Sequence, residues 1–404
     1  MNCKFLTAAA LTVLCAGSAS AQKAQISFYG FIRNYAHVDS HEMKALTADL
    51  FSYLPLDNDN DAATWHFSAI TSRLGVNVSG YEYNGVKVGA KIETDFYSGV
   101  SGVTGTATLR LRQAYMTLGW TNASLKVGQA WHPMAADMPD VISLNTGAPF
   151  GPFSRTPLAQ IDWNLGGDKT SSWSVTAAAI WQQQYTSAGP EGASANYIKY
   201  SGIPELYAGL NYKWKSGLVR AGVDFLSIVP VQDDNVRMNA LTPFFYAQYS
   251  KGLFSAKLKT VYAQAGEHVN LNGGYALTTD GDYAPTRNSS SWISLSYGKD
   301  WQAVLFAGYA KNFGTSENIA NGAHIYFSKN SFVNMNSMYR LTPTLIRNFG
   351  KVTAALEYEI TSVQYGKYDS AHPDQYLDTG CALYNQDLHR VTNHRVQLML
   401  KYSF

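Results

Sequence analysis

The chain ends Arg395-Val396-Gln397-Leu398-Met399-Leu400-Lys401-Tyr402-Ser403-Phe404. In an extended backbone successive side chains point to opposite faces, so Val396, Leu398, Leu400, Tyr402 and Phe404 share one side. Arg395, Gln397, Met399, Lys401 and Ser403 share the other. The same two-residue period runs through Val86-Val88-Ala90-Ile92 against Lys87-Gly89-Lys91-Glu93. It returns in Leu206-Ala208-Leu210-Tyr212-Trp214 and in Val352-Ala354-Leu356-Tyr358-Ile360. Each stretch reads as a strand with one apolar and one polar face. After residue 21 no run reaches the roughly 18 apolar residues that a membrane-crossing helix needs. A hydrophobicity carried in alternation fits a β-barrel with its apolar face in lipid.

The connections sort by length. Seven short ones carry turn chemistry: Asn84-Gly85, Thr121-Asn122, Gly166 to Thr170, Ser216-Gly217, Lys251-Gly252, Gly298-Lys299-Asp300 and Phe349-Gly350. Eight long polar ones alternate with them, at 39–63, 98–106, 133–157, 185–202, 231–239, 267–287, 313–330 and 364–390. Fifteen connections join sixteen strands. The expected fold is all-β: a sixteen-stranded antiparallel transmembrane β-barrel with short periplasmic turns and long extracellular loops.

Composition agrees. Of 404 residues only 15% are charged, against roughly 25% in soluble proteins, while 13% are aromatic, with 27 Tyr, 18 Phe and 9 Trp. Residues 1–21 read as a cleaved signal peptide: Lys4, the apolar run Phe5 to Ala16, then Ala19-Ser20-Ala21 as cleavage site. The mature barrel then occupies 22–404. Two of the three cysteines lie in the signal, leaving Cys381, so neither an internal disulfide nor a cysteine-based zinc site is expected.

The formal net charge of +2 excludes a whole-chain nucleic-acid footprint. Locally the balance is uneven. A charge on the lipid face is costly, so strand charges are assigned to the lumen. Fourteen are basic: Arg33, Arg73, Lys87, Lys91, Arg110, Arg112, Lys126, Lys213, Arg220, Lys257, Lys259, Arg340, Arg395 and Lys401. Six are acidic: Glu93, Asp95, Asp162, Asp224, Glu357 and Glu359. Loop 39–63 has the opposite sign, with Asp39, Glu42, Asp49, Asp57, Asp59 and Asp61 against Lys44. A tube lined by one sign concentrates the opposite ion, so the reading is a lumen that favours anions. The loop at 133–157 is rich in Pro and Gly and apolar for a solvated loop. It is expected to fold into the lumen and narrow it, bringing Asp137 and Asp140 towards basic residues. Arg110 and Arg112 share parity with the lipid-facing residues Met116, Leu118 and Trp120, and a bulge near Tyr115 or burial in a subunit contact would reconcile them.

Ser72-Arg73-Leu74-Gly75-Val76, Gly89-Ala90-Lys91-Ile92-Glu93-Thr94-Asp95-Phe96, Leu109-Arg110-Leu111-Arg112-Gln113-Ala114-Tyr115 and Leu125-Lys126-Val127-Gly128-Gln129 resemble the first five strands of Gram-negative trimeric porins, and of the DcaP-like family in particular. Phe153-Ser154-Arg155-Thr156-Pro157 is similar to that family's segment leading out of the third loop. The resemblance is sequence-level over about 25–165 and at the last strand, and architectural elsewhere. It implies a homotrimer in the outer membrane, in contact with lipid and lipopolysaccharide, inserted by the barrel assembly machinery through the strand ending in Phe404. It also implies a third loop folded into the lumen, passive diffusion of small hydrophilic solutes, and a preference for anions such as dicarboxylates. On its pattern Arg73 and Arg112 line the basic side of the constriction, and Asp137 and Asp140 the acidic side. The chain departs from the DcaP pattern at the loop entry Trp131-His132-Pro133-Met134 and in showing no N-terminal coiled-coil segment.

The candidate pore-lining and constriction residues are therefore Arg73, Lys91, Glu93, Arg112, Lys126, Asp137, Asp140, Arg155, Asp162 and Arg340. No catalytic residue, cofactor or metal is expected. The nine His are scattered, and neither Gly-x-Ser-x-Gly nor His-Glu-x-x-His occurs. Two alternatives stand beside the general porin. One is a phosphate-type specific channel, which needs a dense arginine ladder where loop 133–157 holds only Arg155. The other is a closed structural or enzymatic barrel.

Overall fold

The computed structural model describes residues 24–45, 52–97, 106–168, 170–183, 185–232, 236–320, 325–327, 334–367 and 386–404. Residues 1–21, read from the sequence as a signal peptide, and Asp49 and Cys381 lie outside them. Sixteen antiparallel strands form one closed sheet. They are β1 (Gln25–Asp39), β2 (two pieces, Thr64–Ser68 and Arg73–Tyr83), β3 (Val86–Tyr97), β4 (Thr108–Gly119), β5 (Ala123–Trp131), β6 (Arg155–Gly167), β7 (Ser171–Ile180) and β8 (Glu205–Trp214). The second half is β9 (Gly217–Ile228), β10 (Met238–Lys251), β11 (Phe254–Gln264), β12 (Tyr283–Gly298), β13 (Trp301–Thr315), β14 (Met335–Phe349), β15 (Val352–Lys367) and β16 (Gln386–Ser403). Each strand pairs with its sequence neighbour, and β1 pairs with β16 from Phe31↔Ser403 to Asp39↔Arg395. Closure leaves no sheet edge, which the hydrocarbon region demands because it offers no water to an unpaired backbone group.

The alternation places side chains as read. On β16 Leu398 is 56% exposed and faces outward, while Gln397 beside it is 2% exposed and faces in. Trp120, Trp163, Trp173, Tyr297, Trp301 and Tyr402 are all exposed and lie within a few residues of a short turn or the chain end, forming an aromatic girdle. The seven short connections fall where the turn residues predict. At Asn84-Gly85 both residues have positive φ, +49° and +79°, the backbone of the two-residue hairpin turn whose twist matches the flanking strands.

The parity problem at Arg112 resolves as a bulge. Glu93 pairs with Gln113 and Thr94 with Leu111, so Arg112 is the extra residue in β4. Arg110 and Arg112 thereby both reach the lumen. Two assignments change. Asp39, read as part of the first loop, ends β1 and forms a two-bond ion pair with Arg395 (2.8 and 2.9 Å). Arg155, read as a loop residue, opens β6.

Candidate functional site

The loop between β5 and β6, residues 132–154, folds into the barrel and runs along the inner wall. At its root His132 Nε2 lies 2.7 Å from Glu205 Oε1 of β8. Lys259 of β11 donates to the carbonyls of Met134 (2.7 Å) and Asp137 (2.5 Å). Asp137 pairs with Arg220 of β9 at 3.3 Å and Asp140 with Lys257 of β11 at 2.5 Å. Further on, the backbone N–H groups of Ile142 and Ser143 donate to the Glu357 carboxylate of β15 (2.8 and 3.0 Å). Arg340 of β14 donates to Ala148 of this loop (2.8 Å) and to Tyr53 of the first loop (2.5 Å). Arg33 of β1 and Gln397 of β16 both donate to the Ile142 carbonyl.

An apolar anchor completes the seat. Phe150 is fully buried and packs edge-on to Phe306 of β13. It lies over Gly308, where a Cβ would come within 2.4 Å of the ring. The apolar character of loop 133–157 has this origin: the loop supplies part of the barrel's interior packing. Phe153 N–H donates to Val269 of the sixth loop at 2.7 Å, so that loop also reaches inward.

Beside the loop, β2, β3 and β4 carry a compact ion cluster. Arg110 binds Asp95 through two bonds (2.8 and 2.9 Å). Arg112 bridges Glu93 (2.8 Å) and Asp95 (2.5 Å). Arg73 stands 3.7 Å from Glu93 and 3.9 Å from Asp95, and Lys91 3.9 Å from Glu93. Tyr29 donates to Glu93 at 2.8 Å. Arg155 stacks over Trp131 with its guanidinium carbon 4.5 Å from the ring centre, and Arg112 lies over the same indole at 5.9 Å. Five cations thus surround two carboxylates, a local balance of +3. Arg112 is as deep as the carboxylates, with its side chain 6% exposed, but three other cations lie nearer the surface. The Glu93 and Asp95 side chains are 5% and 1% exposed, whereas those of Arg73, Lys91 and Arg110 are 25%, 23% and 22% exposed. The carboxylates fix the cations from below, and the water-facing surface is positive.

Of the ten candidates, Arg73, Lys91, Glu93, Arg112 and Arg155 come together in this cluster. Asp137 and Asp140 are on the infolded loop, held by Arg220 and Lys257. Lys126 lies over the Tyr115 ring, and Asp162 accepts from Gln160 (2.8 Å) and Thr176 (2.6 Å) on the adjoining wall. Arg340 is a correction. It is 2% exposed and clamps two loops, so it does not face the open lumen. The fourteen-to-six excess of basic residues is also reduced, because Asp39, Asp137 and Asp140 join the lumenal carboxylates, and eight of the fourteen cations are in ion pairs among the described residues.

One constellation escaped the sequence reading. His132, Glu205, Asp224 and His268 meet in a buried cluster from two loops and two strands. Glu205 and Asp224 each lie within 3.5 Å of both imidazoles. Separations of up to 136 residues hide such a set from any motif search.

Residues 9–149 match the model of the DcaP outer membrane protein family. The fold is similar to the crystal structure of the outer membrane channel DcaP of Acinetobacter baumannii, with TM-score 0.69 and 19% identity over 96% of this chain and 100% of that one. An anion-selective porin from Comamonas acidovorans aligns with TM-score 0.55 and 10% identity, over 95% of this chain and all of that one. The trimer form of OmpT from Vibrio cholerae aligns with TM-score 0.53 and 12% identity, over 94% of this chain and 99% of that one. No functionally curated protein matches the chain. With sixteen strands in a closed barrel and a third loop folded inward, the chain has the fold of an outer-membrane porin, and over residues 9–149 it resembles the DcaP outer membrane protein family.

Proposed function

We propose that the chain is a trimeric porin for passive diffusion of small hydrophilic solutes and that it favours anions, dicarboxylates among them. The observation that carries this reading is the difference in depth within the β2–β4 cluster. Arg73, Lys91 and Arg110 present positive charge to water, while Glu93 and Asp95 are covered. In a narrow tube with low-dielectric walls such a surface raises the local anion concentration. A dicarboxylate matches two guanidiniums through paired N–H···O bonds. Asp137 and Asp140 are occupied by Arg220 and Lys257, which weakens their opposition to anion entry. Transport needs no catalytic group; solute selection is electrostatic, and the infolded loop sets the size limit.

The test is the reversal potential of the purified barrel in a planar bilayer under a KCl gradient. The expected result is current in three equal steps and a reversal potential that favours chloride. Arg73→Ala with Arg110→Ala should move it towards neutrality. Cation preference in the unmodified protein overturns the anion reading and leaves the porin. Absence of current from folded barrel overturns the porin reading as well. It would favour a closed barrel, for which the filling of the interior by Tyr53, Met134 and Phe150 already speaks.

A further inference from the structure

We propose that His132, Glu205, Asp224 and His268 form a binding site for a single divalent transition metal of the zinc class, which fastens the third and sixth loops to the wall at β8 and β9. The four side chains are fully buried, at 0%, 0%, 1% and 0% exposure. Two imidazoles and two carboxylates are a donor set suited to such a cation.

The distances argue for a metal rather than for hydrogen bonds alone. Buried charge-assisted N–H···O bonds close to about 2.7–2.9 Å. Only His132 to Glu205 does so, at 2.7 Å. His132 Nε2 stands 3.5 Å from Asp224 Oδ1, and His268 Nε2 stands 3.5 Å from Glu205 Oε1 and 3.3 Å from Asp224 Oδ2. A tetrahedral site with metal–ligand bonds of about 2.0 Å has edges of about 3.3 Å. Three of the four contacts lie near that spacing; His132, Glu205 and Asp224 offer ligand atoms within 4.8 Å of one another, and His268 meets the set through the other Asp224 oxygen. Asp224 Oδ1 is buried without a hydrogen-bond partner, an orphan acceptor aimed into the cluster.

The surroundings supply an outer layer. His268 Nδ1 faces the Ala265 carbonyl at 3.3 Å. With the proton there, the Nε2 lone pair turns towards the two carboxylates, the arrangement that orients a metal-bound histidine. Gln182 donates to the second Glu205 oxygen at 2.6 Å. His132 is arranged for the metal-free state, since the Met134 N–H points at its Nδ1 at 3.2 Å. Binding moves the His132 proton balance and releases that bond, so occupancy is coupled to the base of the infolded loop. Two neutral imidazoles, two carboxylates and one divalent cation sum to zero charge, which suits full burial.

The experiment equilibrates the folded, chelator-treated barrel with zinc chloride, removes unbound ion, and measures retained zinc by elemental analysis. Cobalt(II) serves as a second probe through its tetrahedral visible absorption. The expected result is about one ion per chain, with the cobalt spectrum, and loss of both in His268→Gln and in Asp224→Asn. His268 lies in a loop, so His268→Gln leaves the strand ladder intact; heat-modifiable migration on gels checks that each variant is folded. His41→Gln, at a separate His–Asp pair on the first loop, should retain the ion. Failure of folded wild-type barrel to retain zinc overturns the proposal. Equal retention by folded His268→Gln and Asp224→Asn also overturns it, by placing the ion elsewhere.

Discussion

Arg112 shows how much one extra residue decides. The bulge at this position turns its side chain inward, where its guanidinium joins two carboxylates that are nearly covered. Removing it takes away the charged hydrogen bonds it gives to Glu93 and Asp95, while Arg73, Lys91 and Arg110 still balance their charge, a change that costs about 1.5–3 kcal/mol. Arg112→Met should therefore lower the urea midpoint of the folded barrel, whereas Lys91→Met, at the exposed rim, should leave it nearly unchanged. Gly308 acts through size. A methyl group there meets the Phe150 ring at 2.4 Å, so Gly308→Ala should unseat the third loop and raise single-channel conductance. Asp168 governs a turn. Bonds from the Thr170 hydroxyl and the Thr170 and Ser171 N–H groups hold its carboxyl down at about 2. A depressed carboxyl stabilises the fold above its ordinary value and ceases to do so as pH falls through about 2. Asp168→Asn should then be less stable than wild type at neutral pH, and the two should converge in strong acid, as read from unfolding midpoints across pH.

At the level of elements the strands and turns were legible because each is a local matter. Asn84-Gly85 needs two positive φ values that few other dipeptides adopt cheaply, and the alternation on either side is set by a lipid face and a wet face. The inward fold of the third loop was also legible, since apolar residues such as Met134 and Phe150 in a long loop require something to pack on. Its course was not. It is fixed by Lys259, Arg340, Glu357 and Gly308, whose strands are far away in sequence and whose parity says only that they face the lumen. If the loop is the main obstruction, replacing 135–150 by a short Gly-Ser linker should raise conductance while the heat-modifiable barrel persists. Unchanged conductance would assign the narrowing to the first and sixth loops.

For the whole molecule, the sequence by itself determined the barrel, the number of its strands, the ends on which turns and loops lie, and the basic excess among strand residues. Those features follow from a period of two and from loop lengths, which each segment carries independently of its neighbours. Tertiary structure alone decided which charges are free. Six lumenal carboxylates looked outnumbered, yet Asp39, Asp137 and Asp140 add to them and eight of the fourteen cations are bound, so the positive surface is smaller than parity alone implies. Arg340 passed from wall to clamp, and His132, Glu205, Asp224 and His268 became a single site. The physical reason is common to all of these. Parity gives the side of the sheet on which a side chain lies, but depth and partner depend on the rotation of strands around a closed barrel and on the loops that fill it. These bring together residues with no relation in the linear chain.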